Sequence, residues 1–183
     1  MYELIILSLL MRFPLHGYLI AKITNDTIGP WAKVSNGTLY PLLGKLEHAG
    51  LIARVNDEGG EGKGEQQART FMITDAGRER FYQIMGDTTS NIGDYQRMFH
   101  LKVAYMDLVP VRERRYLLNH YIHYCEASIL HIKTEAEDLK HELVGNHERE
   151  AFKGLALKTM QHRADMWQAE MDWTMQLREE LSS

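Results

Sequence analysis

Residues 15–73 read LHGYLIAKITNDTIGPWAKVSNGTLYPLLGKLEHAGLIARVNDEGGEGKGEQQARTFMI, and the order of signals in this stretch decides the fold. Leu19, Ile20 and Ile23 fall at helical spacing opposite Lys22 and Thr24, which predicts a helix over about 16–25. Gly29-Pro30 breaks the chain. Ser35 is placed to cap a further helix, in which Leu39, Leu42, Leu43 and Leu46 make one apolar stripe and leave Asn36, Thr38, Tyr40 and Lys45 on other faces. Pro41 is tolerated only near a helix start, so the regular part is expected from about Thr38. Gly50 supplies the left-handed residue that ends it. Residues 51–55 and 69–73 are rich in β-branched and apolar side chains and flank the Gly59, Gly60, Gly62, Gly64 tip, the pattern of a hairpin with a long loop. Helix, turn, helix and hairpin together predict a winged helix-turn-helix.

Working outward, Leu4, Ile5, Leu7, Leu9, Leu10 and Met11 predict a short buried helix that stops at Phe13-Pro14, because proline lacks the amide donor and restricts the residue before it. Thr74-Asp75 cap a helix running to about Met85. Beyond residue 86 the chain reads as helical. Tyr95, Met98, Phe99, Leu101, Val103, Tyr105 and Met106 lead to a break at Pro110, after which Leu118, Ile122, Cys125, Ile129, Ile132, Ala136, Leu139 and Leu143 alternate four and three apart as a heptad seam. Gly145-Asn146 ends it. A last helix from about Glu148 carries Phe152, Leu155, Ala156, Met160, Met166, Trp167, Trp173, Leu177 and Leu181, read as a single apolar stripe interrupted by Arg163 and Glu170. The fold class expected is mostly α: a winged helix-turn-helix over 1–85, then an antiparallel, coiled-coil-like helical dimerisation domain over 86–183.

His16-Gly17-Tyr18, Gly37-Thr38-Leu39-Tyr40-Pro41-Leu42-Leu43, Leu46-Glu47, Gly50-Leu51-Ile52 and Thr74-Asp75-Ala76-Gly77-Arg78 resemble the PadR-type transcriptional regulators over the first half of the chain. The second half is similar in length and helical character to the larger PadR subfamily, whose C-terminal helical dimerisation domain is related to that of virulence activators. This resemblance implies a homodimer that binds a palindromic double-stranded DNA operator, usually as a repressor, and in several members releases it on binding a phenolic acid or another small aromatic effector.

Under that reading the helix over 36–48 enters the major groove, and the DNA-binding candidates are Tyr18, Lys22, Lys33, Ser35, Asn36, Gly37, Thr38, Tyr40, Lys45, Lys63 and Arg69. Arg54 is a further candidate phosphate partner. Lys63 sits in a wing tip flanked by Glu58, Glu61 and Glu65, which departs from the more basic wing of the family. Solvation alone is the alternative for each polar residue. Leu118, Ile122, Cys125, Ile129, Ile132, Leu139, Leu143, Trp173 and Leu177 are the expected dimer interface, since a lone helical hairpin leaves apolar surface exposed. A twofold dimer sets two recognition helices about 34 Å apart, one DNA turn. Tyr95, Met160, Met166, Trp167 and Trp173 are candidates to line an effector pocket, with interface core as the alternative.

The formal charge of −4 is not that of a basic nucleic-acid binder. By segment, residues 1–85 hold nine Lys and Arg against nine Asp and Glu, and residues 86–183 hold twelve against sixteen, so the deficit lies entirely in the helical half. Marked salt dependence follows for a neutral module that binds phosphates. The rival reading is a helical interaction protein whose winged helix docks another protein.

The lone Cys125 excludes an internal disulfide, and no cysteine and histidine spacing resembles a zinc quartet, so neither metal nor cofactor is expected. His120 and His123 share a helix face, while Cys125 belongs to the seam. Gly60-Glu61-Gly62-Lys63-Gly64 lacks the Ser or Thr that a phosphate loop needs, and Cys125 has no basic partner to activate it, so an enzyme is not expected. The Leu4–Met11 run is too short to span a bilayer, and Glu3 stands where a signal peptide carries positive charge. A cytoplasmic protein without a membrane partner is expected.

Overall fold

Helix α1, Tyr2–Arg12, forms the centre of the N-terminal half because it is apolar all round: every residue from Leu4 to Leu10 is buried, Ser8 among them with its hydroxyl donated to the Leu4 carbonyl at 2.7 Å. The computed structural model describes residues 1–28, 35–55, 69–89, 94–141 and 147–181. After α1 come β1 (Leu15–His16), α2 (Gly17–Ile28), α3 (Asn36–His48), β2 (Ile52–Val55), β3 (Thr70–Ile73), α4 (Asp75–Gly86), α5 (Tyr95–Val103), a single 3-10 turn (Met106–Leu108), α6 (Val111–His141) and α7 (His147–Glu180). The strands make one antiparallel sheet in the order β1-β3-β2, with Ile52 opposite Ile73 and Leu15 opposite Phe71. The chain is thus mostly helical, with a winged helix-turn-helix first and long paired helices last. Among the described residues no helix is long and apolar enough to cross a membrane.

Helix α3 starts at Asn36, two residues ahead of the expected Thr38, and accommodates Pro41 in its second turn. Ser35 caps it through its carbonyl, which accepts from the amides of Thr38 (2.9 Å) and Leu39 (3.0 Å). Its hydroxyl instead lies 3.1 Å from the Thr38 hydroxyl. At the other end Gly50 has φ +71, and the Gly50 and Leu51 amides bond to the Glu47 and Leu46 carbonyls at 2.9 Å each. This double closure is the reason a glycine stands there.

The same corner begins α4. The Thr74 hydroxyl donates to the Gly50 carbonyl at 2.6 Å and accepts from the Gly77 amide at 3.1 Å, while the Thr74 amide bonds to the Leu51 carbonyl at 3.1 Å. Gly77 is buried against this corner. A Cβ there would collide with the Leu51 carbonyl oxygen and come within 2.7 Å of Ile73 Cγ1.

Packing divides the chain into two units, Met1–Val109 and Pro110–Ser183. Residues 86–109, grouped by the sequence with the C-terminal half, pack in the first unit, with Tyr95, Phe99, Leu101, Tyr105, Met106 and Val109 all buried. Arg12 of α1 reaches both carboxylate oxygens of Asp107, at 3.0 and 3.1 Å. Lys102, 2 % exposed, donates to the Asp87 carbonyl.

In the second unit α6 and α7 run antiparallel, as the pairs Lys140 with Lys153, Tyr121 with Glu170 and Asn119 with Arg178 require. The seam of α6 is buried at Leu118, Ile122, Cys125, Ile129 and Ile132 and half-buried at Ala136 and Leu139. The single apolar stripe expected of α7 is in fact two. Leu157, Met160, Ala164, Trp167, Met171 and Thr174 alternate three and four apart and face α6, buried or half-buried. Phe152, Leu155, Met166 and Trp173, with Thr159, His162 and Ala169 between them at the same spacing, lie on the opposite face and are all exposed. The large apolar ones are 68, 67, 52 and 41 % exposed.

Two stability effects are expected. Gly77→Ala should destabilise the first unit by upwards of about 2 kcal/mol, since the rigid Leu51 carbonyl must move. Gly44→Ala, where an added methyl meets nothing within 4 Å, should instead stabilise α3 by up to about 1 kcal/mol; urea denaturation of both variants checks the contrast. The second concerns Lys102, whose ammonium is lowered by burial from the ordinary 10.5 to about 8, the Asp87 charge opposing the shift. The unfolded chain holds this proton where the folded one has released it, so stability should rise with pH between about 8 and 10.5. A Lys102→Met variant should lack that rise when both proteins are melted across the same pH series.

Candidate nucleic-acid interface

The geometry around Gly17 gathers four elements. Gly17 begins α2, and its amide bonds to the Arg69 carbonyl at 3.0 Å where β1 meets β3. A Cβ at this position would stand 3.2 Å from Tyr40 Cε1 and 3.3 Å from Phe71 Cε2, so the Tyr40 ring of α3 lies directly over the start of α2. Glycine permits that approach. One residue earlier, His16 Nδ1 and the Thr70 hydroxyl are 2.8 Å apart across the β1–β3 pair. Tyr18 projects from the first turn of α2 and is 72 % exposed.

On α3 the leucines do the packing and the polar residues face outward. Leu39, Leu43 and Leu46 are buried, whereas Gly37, Thr38, Tyr40, Pro41, Gly44, Lys45 and His48 are exposed. Gly37, Pro41, Gly44 and His48 recur at three to four residues, so a line down the outer face carries little side-chain bulk next to Lys45. A face of this kind can sit close to a groove and present Thr38 and Lys45 to base edges or phosphates.

Of the DNA-binding candidates, Tyr18, Lys22, Ser35, Gly37, Thr38, Tyr40, Lys45 and Arg69 are all exposed on α2, α3 or the edge of β3. Lys33, Lys63 and the Asn36 side chain lie outside the described residues. Arg54, the further phosphate candidate, has its guanidinium 2.7 Å from Glu47 Oε2, between β2 and α3. His16 is absent from the sequence-derived candidates, and only the pairing of β1 with β3, a contact 54 residues long, brings it beside Thr70.

In the second unit the expected interface residues divide. Leu118, Ile122, Cys125, Ile129 and Ile132 are covered by the chain's own α7, Leu139 and Leu177 are half-buried, Trp173 is exposed, and Leu143 lies outside the described residues. The effector-pocket candidates divide as well. Tyr95 is buried in the first unit. Met160 and Trp167 face α6, Trp167 edge-on to Tyr124 at 5.5 Å, while Met166 and Trp173 face the other way. Met160 borders a groove of about 270 Å³ floored by Ile132, Ala136, Leu157 and Ala164, where two alanines leave space between the helices. Cys125 is fully buried beside Tyr121 and Glu170, and burial, reinforced by the Glu170 carboxylate, pushes its thiol up to about 12. Among the described residues no cluster of His, Cys, Asp and Glu is arranged to hold a metal.

Comparison with known proteins gives one family: the Transcriptional regulator PadR-like family matches residues 6–83. No curated protein matches the chain. Among solved structures, Bacillus subtilis PadR in complex with operator DNA is similar at 17% identity over 97% of this chain and 96% of that one, with a TM-score of 0.42. The same protein in complex with p-coumaric acid is similar at 16% identity over 99% and 98%, with a TM-score of 0.40. The Vibrio cholerae virulence activator AphA is similar at 19% identity over 99% and 98%, with a TM-score of 0.39.

The burial of Cys125 sets an expected reactivity. In the native protein iodoacetamide at pH 8 should leave it unmodified for hours, and in urea it should react as a free thiol does. Rapid native labelling would show that the α6–α7 seam opens.

Proposed function

We propose that the chain, which belongs through residues 6–83 to the PadR-like family of transcriptional regulators, binds a palindromic operator as a homodimer and represses from it. The observation that carries this reading is the exposed face of α3. Thr38, Tyr40 and Lys45 stand there beside Tyr18, Lys22 and Arg69, on a helix whose opposite side is locked into the core by Leu39, Leu43 and Leu46. Base edges would be read by Thr38 and Tyr40. Phosphates would be held by Lys22, Lys45 and Arg69.

The homodimer is supported by the exposed apolar stripe of α7, a surface that a monomer has no use for. A twofold pair places two copies of α3 against two half-sites and so demands a palindrome. The effector, in this reading, is a small aromatic compound. Met160 at the groove between α6 and α7 offers polarisable surface to a planar ring, and ligand there would change how the dimer presents its two reading helices.

Fluorescence anisotropy with labelled DNA from upstream of the protein's own gene tests the reading. Binding should be tight, resistant to unrelated competitor DNA, and weaker as salt rises; Lys45→Ala should weaken it and reduce the salt slope by about one. Addition of phenolic acids should release the DNA and change Trp fluorescence. Weak, competable binding that ignores salt would overturn the proposal in favour of a protein-docking winged helix.

A further inference from the structure

We propose that the cavity between the first turn of α1, the end of α4 and α5 binds a short-chain aliphatic carboxylate, its charged end on Lys102 and Arg80 and its alkyl end on Leu4, Ile84 and Met98. The site goes beyond the operator reading and does not depend on it. It lies wholly in the first unit, whereas the groove assigned above to an aromatic effector belongs to the second.

A buried ammonium is the feature that calls for a ligand. Lys102 is 2 % exposed and lines the cavity, and its one acceptor among the described residues is the Asp87 carbonyl. An ammonium carries three N–H donors, so most of its capacity is left for the cavity. Burial lowers it only to about 8, so near neutral pH it is still charged and short of acceptors, the costly state for a group away from water. The neighbouring carboxylates are occupied. Glu3 accepts from Arg80 Nε at 2.7 Å and from its Nη2 at 3.4 Å. Asp87 Oδ1 accepts from the amide and the hydroxyl of Thr89, at 2.9 and 3.0 Å. Donors are thus in surplus.

Two further features add to that surplus. Arg80 bonds Glu3 through Nε and Nη2, which leaves Nη1 to the cavity that the residue lines. The first turn of α1 borders the same space through Glu3 and Leu4, and no side chain caps its amides, so the positive end of that helix is also turned to the site. Size and wall then narrow the anion. The cavity is about 150 Å³, a volume that takes a molecule of about six non-hydrogen atoms, which is the size of butyrate. Leu4, Ile84 and Met98 supply an apolar wall that an inorganic oxyanion has no means to use and an alkyl chain does.

NMR of the isotope-labelled full chain, titrated with sodium butyrate against sodium chloride at matched ionic strength, reads the site. Butyrate should shift amide signals saturably, and the shifts should concentrate in residues 3–5, 80–87 and 95–102. Butyramide, which keeps the shape without the charge, and phosphate, which keeps charge without the alkyl end, should each bind at least about tenfold more weakly. Lys102→Met, an apolar side chain of similar length, should lose the binding. Met98→Trp keeps both cations but fills the cavity, and it should lose the binding too, so a failure of one variant to fold leaves the other to decide. Lys133→Met, at an exposed lysine of the second unit, should bind as the wild type does.

Absence of saturable shifts up to about 100 mM butyrate would overturn the proposal, leaving the cavity to solvent. Phosphate binding equal to that of butyrate would overturn the carboxylate assignment in favour of a general oxyanion site. Shifts confined to α6 and α7, or binding that survives both Lys102→Met and Met98→Trp, would place the carboxylate elsewhere and overturn the site.

Discussion

The corner where Gly50, Leu51, Thr74 and Gly77 meet ties the end of α3 to the hairpin and to the start of α4. Five backbone polar groups that end one helix, start another and enter the hairpin are satisfied within it: the Gly50 and Leu51 carbonyls by the Thr74 hydroxyl and amide, the Gly77 amide by the Thr74 hydroxyl, and the Glu47 and Leu46 carbonyls by the Gly50 and Leu51 amides. These bonds close the end of α3 and the start of α4 on each other, so the chain reverses here in one way. The two glycines serve different ends. Gly50 supplies a positive φ, and Gly77 supplies the missing Cβ that lets α4 lie on the Leu51 carbonyl.

That corner was largely legible in the sequence because its signals are local. A glycine after an apolar helical stripe, a threonine before the next helix, and Phe13-Pro14 after a run of leucines each act within a turn of themselves. What escaped depends on distant contacts. β1 is two residues long and exists only because β3 lies beside it, which is why His16 reads as the start of a helix and is missing from the expected site. Residues 95–109 carry an ordinary apolar pattern that does not say which half they join. Their attachment to the first unit is made by Arg12 with Asp107 and by burial of Tyr95, Phe99 and Tyr105, across separations no local rule reaches. Ser35 shows a subtler limit: its position as cap was legible, but which of its oxygens does the capping was not.

The formal charge of the first unit, eleven Lys and Arg against twelve Asp and Glu, is compatible with a positive outer face of α3 because its carboxylates are placed unevenly. Glu3 takes Arg80 at 2.7 Å, Glu47 takes Arg54, and Asp107 takes Arg12, so several of its acidic and basic groups neutralise one another away from the outer surface of α3. The exposed Lys22, Lys45 and Arg69 border that surface. Such exposed pairs add little stability. Their larger effect is on the local field, since a formal sum of charges counts them equally with groups that meet the solvent at the interface, and the field felt by a phosphate within a Debye length does not.

The second unit shows why an apolar pattern alone does not identify an interface. On α6 the heptad seam looked like a surface for another chain, yet α7 of the same chain covers most of it, and the polar pairs Tyr121 with Glu170 and Asn119 with Arg178 fix the register of that internal pairing. A purely apolar seam can slide by a turn; a buried hydroxyl bonded to a carboxylate cannot do so without leaving both groups unsatisfied. Fixing the inner face of α7 also fixes its outer one, because the two stripes lie on a single rigid helix. Phe152, Leu155, Met166 and Trp173 are therefore held in a defined line by contacts they do not make themselves, and a surface so held is ready to bind without first having to be ordered.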